Sequence, residues 1–187
     1  MKNRIKIIGL LLLSAGATVL LYILLHETGH MIVMLSAGAK VTSFSILTAH
    51  VSAEGGNYTT ASALWLHANG AILPVAASFV YMLLYRKDCR NSFYRMFSFL
   101  LALVPTASMH AWVILPFLFL QGKAPAADDV THFLTVFSEH SHPLIVSAVS
   151  AAIIAIAVAL MMKRRILQNY LEEIAYKTKT SHPNQNV

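Results

Sequence analysis

Two histidines and a glutamate, in His26-Glu27-Thr28-Gly29-His30, stand inside an apolar run from about Ile7 to Leu35. Residues four apart on a helix lie one turn apart on the same face, so both imidazoles can reach one metal ion. The carboxylate between them can reach a water bound to that ion, which is the arrangement of a zinc hydrolase. Charged groups at bilayer depth are costly and survive mainly where they line a cavity or do chemistry. The competing reading is a pair of core histidines that hydrogen-bond across a helical bundle. It leaves Glu27 a buried carboxylate with only a structural role.

Two histidines do not complete a catalytic zinc site, which usually has three protein ligands and one open position. Asp128-Asp129, in Ala126-Ala127-Asp128-Asp129-Val130-Thr131-His132-Phe133, offers the third. Two adjacent acids on a helix cannot both point at one ion. Asp128 suits the N-cap of a helix continuing through Phe137, its side chain taken up by backbone amides, so Asp129 is the favoured ligand. The structural alternative makes both of them cap and first-turn acids that answer the helix dipole. Glu54 follows His30 near the separation used by soluble gluzincins but stands in Gly-rich turn sequence, so it ranks behind Asp129, as does Asp128. His50, His110 and His132 are further ligand candidates. His110 lies near the middle of an apolar segment beside Thr106 and Ser108, where it could also bind substrate or hydrogen-bond between helices. His140, His142 and His182 read as solvated.

The elements that must position these groups are membrane helices. With 57% hydrophobic residues, 12% charged residues and a mean hydropathy of +0.62 over 187 residues, the chain reads as a single-domain integral membrane protein. Four segments are long enough to span, at approximately Ile7 to Leu35, Ala61 to Tyr85, Met96 to Leu120 and Pro143 to Met162. The first begins like a secretory signal but runs well past signal length, and is read as an uncleaved span. The expected fold class is all-α with about four transmembrane helices and a short β-hairpin after the first. The hairpin rests on Val41 to Thr48, rich in β-branched and aromatic residues, and on the turn signal Glu54-Gly55-Gly56-Asn57. Its edge from Phe44 to Leu47 could pair with an extended peptide. Residues 1–165 form the expected core, followed by an interfacial helix from Ile166 and a polar, disordered tail from Lys177 to Val187.

The net charge of +6 falls in three clusters beside the apolar segments: Lys2, Arg4 and Lys6; Arg86, Lys87, Arg90 and Arg95; and Lys163, Arg164 and Arg165. Membrane topology accounts for them without a nucleic-acid partner. The positive-inside rule puts both termini and the Arg86 to Arg95 loop in the cytoplasm, as in a multi-pass protein of a prokaryotic plasma membrane. His26 and His30 then lie in the non-cytoplasmic half of the first span, and His67 and Asn69 enter the second from that side. Cys89 is the only cysteine, which excludes an internal disulfide and a thiolate zinc cluster.

With a metal-binding span, a small bundle and a late aspartate, the chain resembles the site-2 protease family of intramembrane zinc metalloproteases. The likeness is carried by His26-Glu27-Thr28-Gly29-His30 with the downstream Leu35-Ser36-Ala37-Gly38-Ala39-Lys40-Val41, by Asn69-Gly70-Ala71-Ile72-Leu73-Pro74, and by Asp129 where the family's third ligand is expected. It covers roughly Leu10 to Val136, and the first motif is its specific part. Asp129 is followed by Val130 rather than by the glycine many family members carry. The resemblance implies a Zn2+-dependent endopeptidase that cleaves a membrane protein or peptide substrate in or near the lipid bilayer. Zinc would sit on His26, His30 and Asp129, with Glu27 as general base and Asn69 or His110 as oxyanion or substrate contact. Two other classes stand beside it. One is a catalytically silent membrane metal-binding protein that binds a partner helix. The other is a haem or proton carrier, for which His26 and His30 on one helix face are poor axial geometry.

Overall fold

Long apolar stretches leave the backbone no partner in lipid except itself, and the four longest stretches fold as helices. The computed structural model describes residues 2–179, with side chains described for residues 5–175. The four are α1 (Lys2–Ser36), α2 (Thr60–Leu84), α3 (Ser92–Leu120) and α5 (Leu144–Lys163), each long and apolar enough to cross a membrane. They reproduce the four expected segments to within a few residues. Two shorter helices, α4 (Asp129–Phe137) and α6 (Ile166–Lys179), complete the helical set among the described residues. Four such helices are compatible with a multi-pass membrane protein. At about 1.5 Å per residue α1 is roughly 52 Å long, well beyond a hydrocarbon core of about 30 Å.

The hairpin lies between α1 and α2, as β1 (Ala39–Ser45) paired antiparallel with β2 (His50–Gly55). Its reversal is not at the Gly-Gly signal. The chain turns at Ile46 to Ala49, with Ala49 in the left-handed region at φ 46°. Gly55 and Gly56, at φ 73° and 88°, instead carry the chain out of the hairpin, and the Asn57 amide donates to the Ala37 carbonyl (2.8 Å). Leu47 consequently sits on the turn, 92% exposed, and not on a strand edge, where the sequence placed it. The register slips between Val41 and Ser43, a β-bulge at Thr42.

Side chains close the helix ends. Thr59 and Asn91 accept from the amides of Ser62 and Tyr94 at the starts of α2 and α3. At the other end of α2, the Arg164 guanidinium donates to the carbonyls of Met82, Leu83 and Tyr85. That contact brings the second and third basic clusters together, with Arg86, Lys87, Lys163 and Arg164 around one polar cleft. The helix expected at the interface is docked: α6 buries Ile166, Asn169 and Glu173. Asn169 donates to the Tyr85 hydroxyl and the Lys87 carbonyl, Glu173 accepts from Ser92 and faces Arg95, and Tyr170 stacks on Phe99. The helix runs through Lys177 to Lys179, where the tail was expected to begin; residues 180–187, with His182, lie outside the described residues.

At the opposite end α4 caps the bundle. Val130 and Leu134 are buried against Ala68, Ala71, Met109, Trp112, Leu115 and Val146. Phe133 meets Trp112 edge-on with ring centroids 5.3 Å apart. Such packing holds through close van der Waals contact between the side chains. It fixes α4, and with it Asp129, over α2 and α3.

Candidate metal centre

Helical periodicity alone brings His26 and His30 together. Their rings meet edge to face at 4.7 Å and their Nε2 atoms are 3.1 Å apart. Tertiary packing adds Asp129, the first residue of α4, whose Oδ2 lies 3.4 Å from His26 Nε2 and 3.2 Å from His30 Nε2. Three donor atoms from two distant stretches of chain thus form a nearly equilateral triangle with edges of 3.1 to 3.4 Å. Ligands on one tetrahedral zinc ion, at bond lengths of 2.0–2.1 Å, lie about 3.3 Å apart. The donor set fits such an ion in both chemistry and spacing.

Proton bookkeeping supports the same fit. His30 Nδ1 is 2.7 Å from the Leu66 carbonyl, which can only accept, so that nitrogen carries the proton. Neutral His30 therefore turns a lone pair at Nε2 towards the Asp129 carboxylate, a repulsive arrangement unless a cation lies between them. A backbone carbonyl on the far nitrogen is also the usual support of a metal-ligating histidine. His26 lacks that support: its Nδ1 is buried without a hydrogen-bond partner, and the ring packs against Tyr22 at 5.9 Å. Burial pushes the Asp129 carboxyl up. The imidazoles of His26, His30 and His67 gathered around it outweigh burial and hold it well below the usual carboxylate range.

One turn of α2 braces the triangle. Leu66 gives its carbonyl to His30; His67 Nδ1 lies 3.5 Å from Asp129 Oδ1; and the Asn69 side-chain amide donates to the Gly29 carbonyl at 2.8 Å. Gly70 and Gly29 let the two helices approach this closely. A Cβ on Gly70 would fall 2.4 Å from His30 Nε2 and 2.8 Å from His26 Cε1, and one on Gly29 would fall 2.2 Å from the Asn69 carbonyl oxygen. Pro74, without an N–H, leaves the Gly70 carbonyl without its usual helical donor beside the imidazoles.

The remaining candidates are distributed as follows. Glu27 is 5% exposed and within electrostatic reach of His30. Asp128 is the N-cap of α4, its Oδ1 2.8 Å from the Val130 amide, so it is turned away from the donor triangle. Glu54 is exposed on β2 opposite Lys40, and His50 is exposed on the same strand with Nε2 2.6 Å from Ser52 Oγ. Neither joins the cluster. Asn69, expected to face a developing oxyanion, spends an N–H on the Gly29 carbonyl and clasps α2 to α1. His110 is exposed, with Nδ1 3.0 Å from the Ala107 carbonyl of its own helix. Sequence reasoning gave His67 a depth but no partner. Its signal was a histidine within an apolar segment three residues before Gly70. His132, one turn after Asp129, stacks on His67 with centroids 5.0 Å apart. Compared with protein-family models, curated proteins and solved structures, the chain matches none.

Proposed function

We propose that this protein is a zinc-dependent intramembrane endopeptidase of the site-2 protease type, acting on a membrane protein or peptide. The observation that carries the reading is the triangle of His26 Nε2, His30 Nε2 and Asp129 Oδ2 beside the buried Glu27. When bound there, zinc would lower the pKa of a water towards neutrality and polarise a carbonyl.

The chain's own groups supply the rest. Glu27 accepts a proton from the attacking water as the new C–O bond forms, and delivers it to the nitrogen as the C–N bond breaks. Burial strengthens the coupling of this carboxylate to nearby charge. A helical substrate hides its peptide bonds, so the scissile segment must be extended. The two strands of the hairpin each keep an unpaired edge against which an extended segment can align, with Phe44 on β1 partly exposed. The basic clusters at the α2 and α5 ends favour cytoplasmic termini in a prokaryotic plasma membrane, with the metal centre towards the outer face.

The test is zinc content and cleavage in detergent-purified protein. About one zinc per chain is expected in the wild type, lost in His26→Ala and in Asp129→Ala. Glu27→Gln should keep the metal and the fold while abolishing cleavage of a transmembrane substrate. Undiminished turnover by Glu27→Gln would sink the assignment. Zinc without cleavage of any membrane substrate would favour a silent metal-binding protein.

A further inference from the structure

Asp129 divides its two oxygens between different partners. Oδ2 faces the two Nε2 atoms of α1, whereas Oδ1 lies 3.5 Å from His67 Nδ1 on α2. A carboxylate with both oxygens free can rotate and offer either or both to a metal. One whose second oxygen has a partner of its own is biased towards offering the first. The holding group is itself held: the His67 ring lies against His132 at 5.0 Å with planes 21° apart. His132 comes one turn after Asp129 on α4, so the helix that brings the carboxylate also brings the plate against which its partner rests. His67 in turn sits on the α2 turn whose Leu66 carbonyl orients His30.

We infer that His67 is a positioning residue for the metal centre, holding Asp129 Oδ1 so that Oδ2 alone is presented between His26 and His30, and that His132 fixes the His67 ring by stacking. The inference rests on the metal-site reading proposed above. His67 does not touch the reacting atoms in this role; it acts through Asp129. Partners of this kind typically change metal affinity by about 10–100-fold when removed.

The test is Co2+ binding by the full-length protein in detergent, followed by chelator competition and by the visible spectrum, whose intensity reports coordination number. His67→Ala should weaken Co2+ affinity about 10–100-fold and lower the visible absorption, as Asp129 becomes free to bind through both oxygens. His67→Asn, whose side-chain amide lies near the place of Nδ1, should recover affinity to within about threefold together with the wild-type spectrum. His132→Ala should cost less than His67→Ala and change the spectrum in the same direction. The thermal midpoint of the metal-free variants, measured alongside, separates loss of the contact from loss of the fold. Wild-type affinity and spectrum in His67→Ala, or no recovery in a folded His67→Asn, would overturn the inference while leaving the metal site in place. A folded wild type that takes up no Co2+ and no Zn2+ would overturn the metal reading itself, and this inference with it.

Discussion

Gly70→Ala tests how the centre is built by adding one methyl group. The new Cβ would lie 2.4 Å from His30 Nε2 and 2.8 Å from His26 Cε1, whereas ordinary contact begins near 3.4 Å. The helices or the imidazoles must therefore separate by about 1 Å, several times the roughly 0.2 Å that a metal–ligand bond length tolerates. Neither ring can yield without leaving the triangle, because His30 is tied to Leu66 and His26 lies edge-on against His30. Overpacking costs about 1–3 kcal/mol, partly offset by the gain of about 1 kcal/mol from replacing glycine within a helix. The metal should suffer more. Displacing one ligand should weaken zinc at least about 100-fold, or ~2.7 kcal/mol. The assay is competition with a chelator of known affinity, beside thermal unfolding of the metal-free protein. Gly16→Ala, where an added Cβ meets nothing within 4 Å, is the control on α1 and should leave both measurements unharmed. Wild-type zinc affinity in Gly70→Ala would refute the close contact of α2 with the two imidazoles.

Other perturbations separate the scaffold from the centre. Leu134→Ala empties a fully buried position beneath α4 and should cost about 2–5 kcal/mol, with zinc affinity falling as Asp129 loses its anchor. Leu47→Ala, on the exposed hairpin turn, should leave unfolding and zinc binding unchanged, and equal effects from the two would contradict the packing described. Asp129 gives a pH signature in the metal-free protein. Its folded value lies below the unfolded value near 3.9, so its contribution is fully present above about pH 4 and is lost as the pH falls through the lower folded value. The thermal midpoint of the wild type in chelator should therefore approach that of Asp129→Asn between about pH 5 and pH 2. A gap that stays constant over that range would count against the histidine contacts.

Much of this protein is legible along the chain because it depends on local periodicity. Four apolar stretches fold as four helices, each long and apolar enough to cross a membrane, because a helix satisfies its own backbone polar groups within one stretch of chain. His26 and His30 share a face because four residues make about one helical turn. Asp128 caps α4 because an aspartate with β-region backbone can receive the Val130 amide, and this frees its neighbour to point elsewhere. What surrounds these groups was decided by helix rotation and crossing, which no local pattern encodes. Asn69 faces α1 and is used as a clasp; His110 is exposed on α3 and bonds its own helix; His67 meets Asp129, which comes from a helix two elements further along the chain. The Gly-Gly pair became an exit from the hairpin instead of its turn, because Asn57 had to return to the end of α1 and Gly56 had to pass closely by Ala39 and Tyr58. Likewise α6 looked like a surface helix by its alternation of apolar and charged residues. Its Asn169 and Glu173 are buried only because Tyr85, Lys87, Ser92 and Arg95 converge there. The sequence thus determined which residues could bind a metal; tertiary packing decided which of them converge, because convergence depends on where separate helices touch.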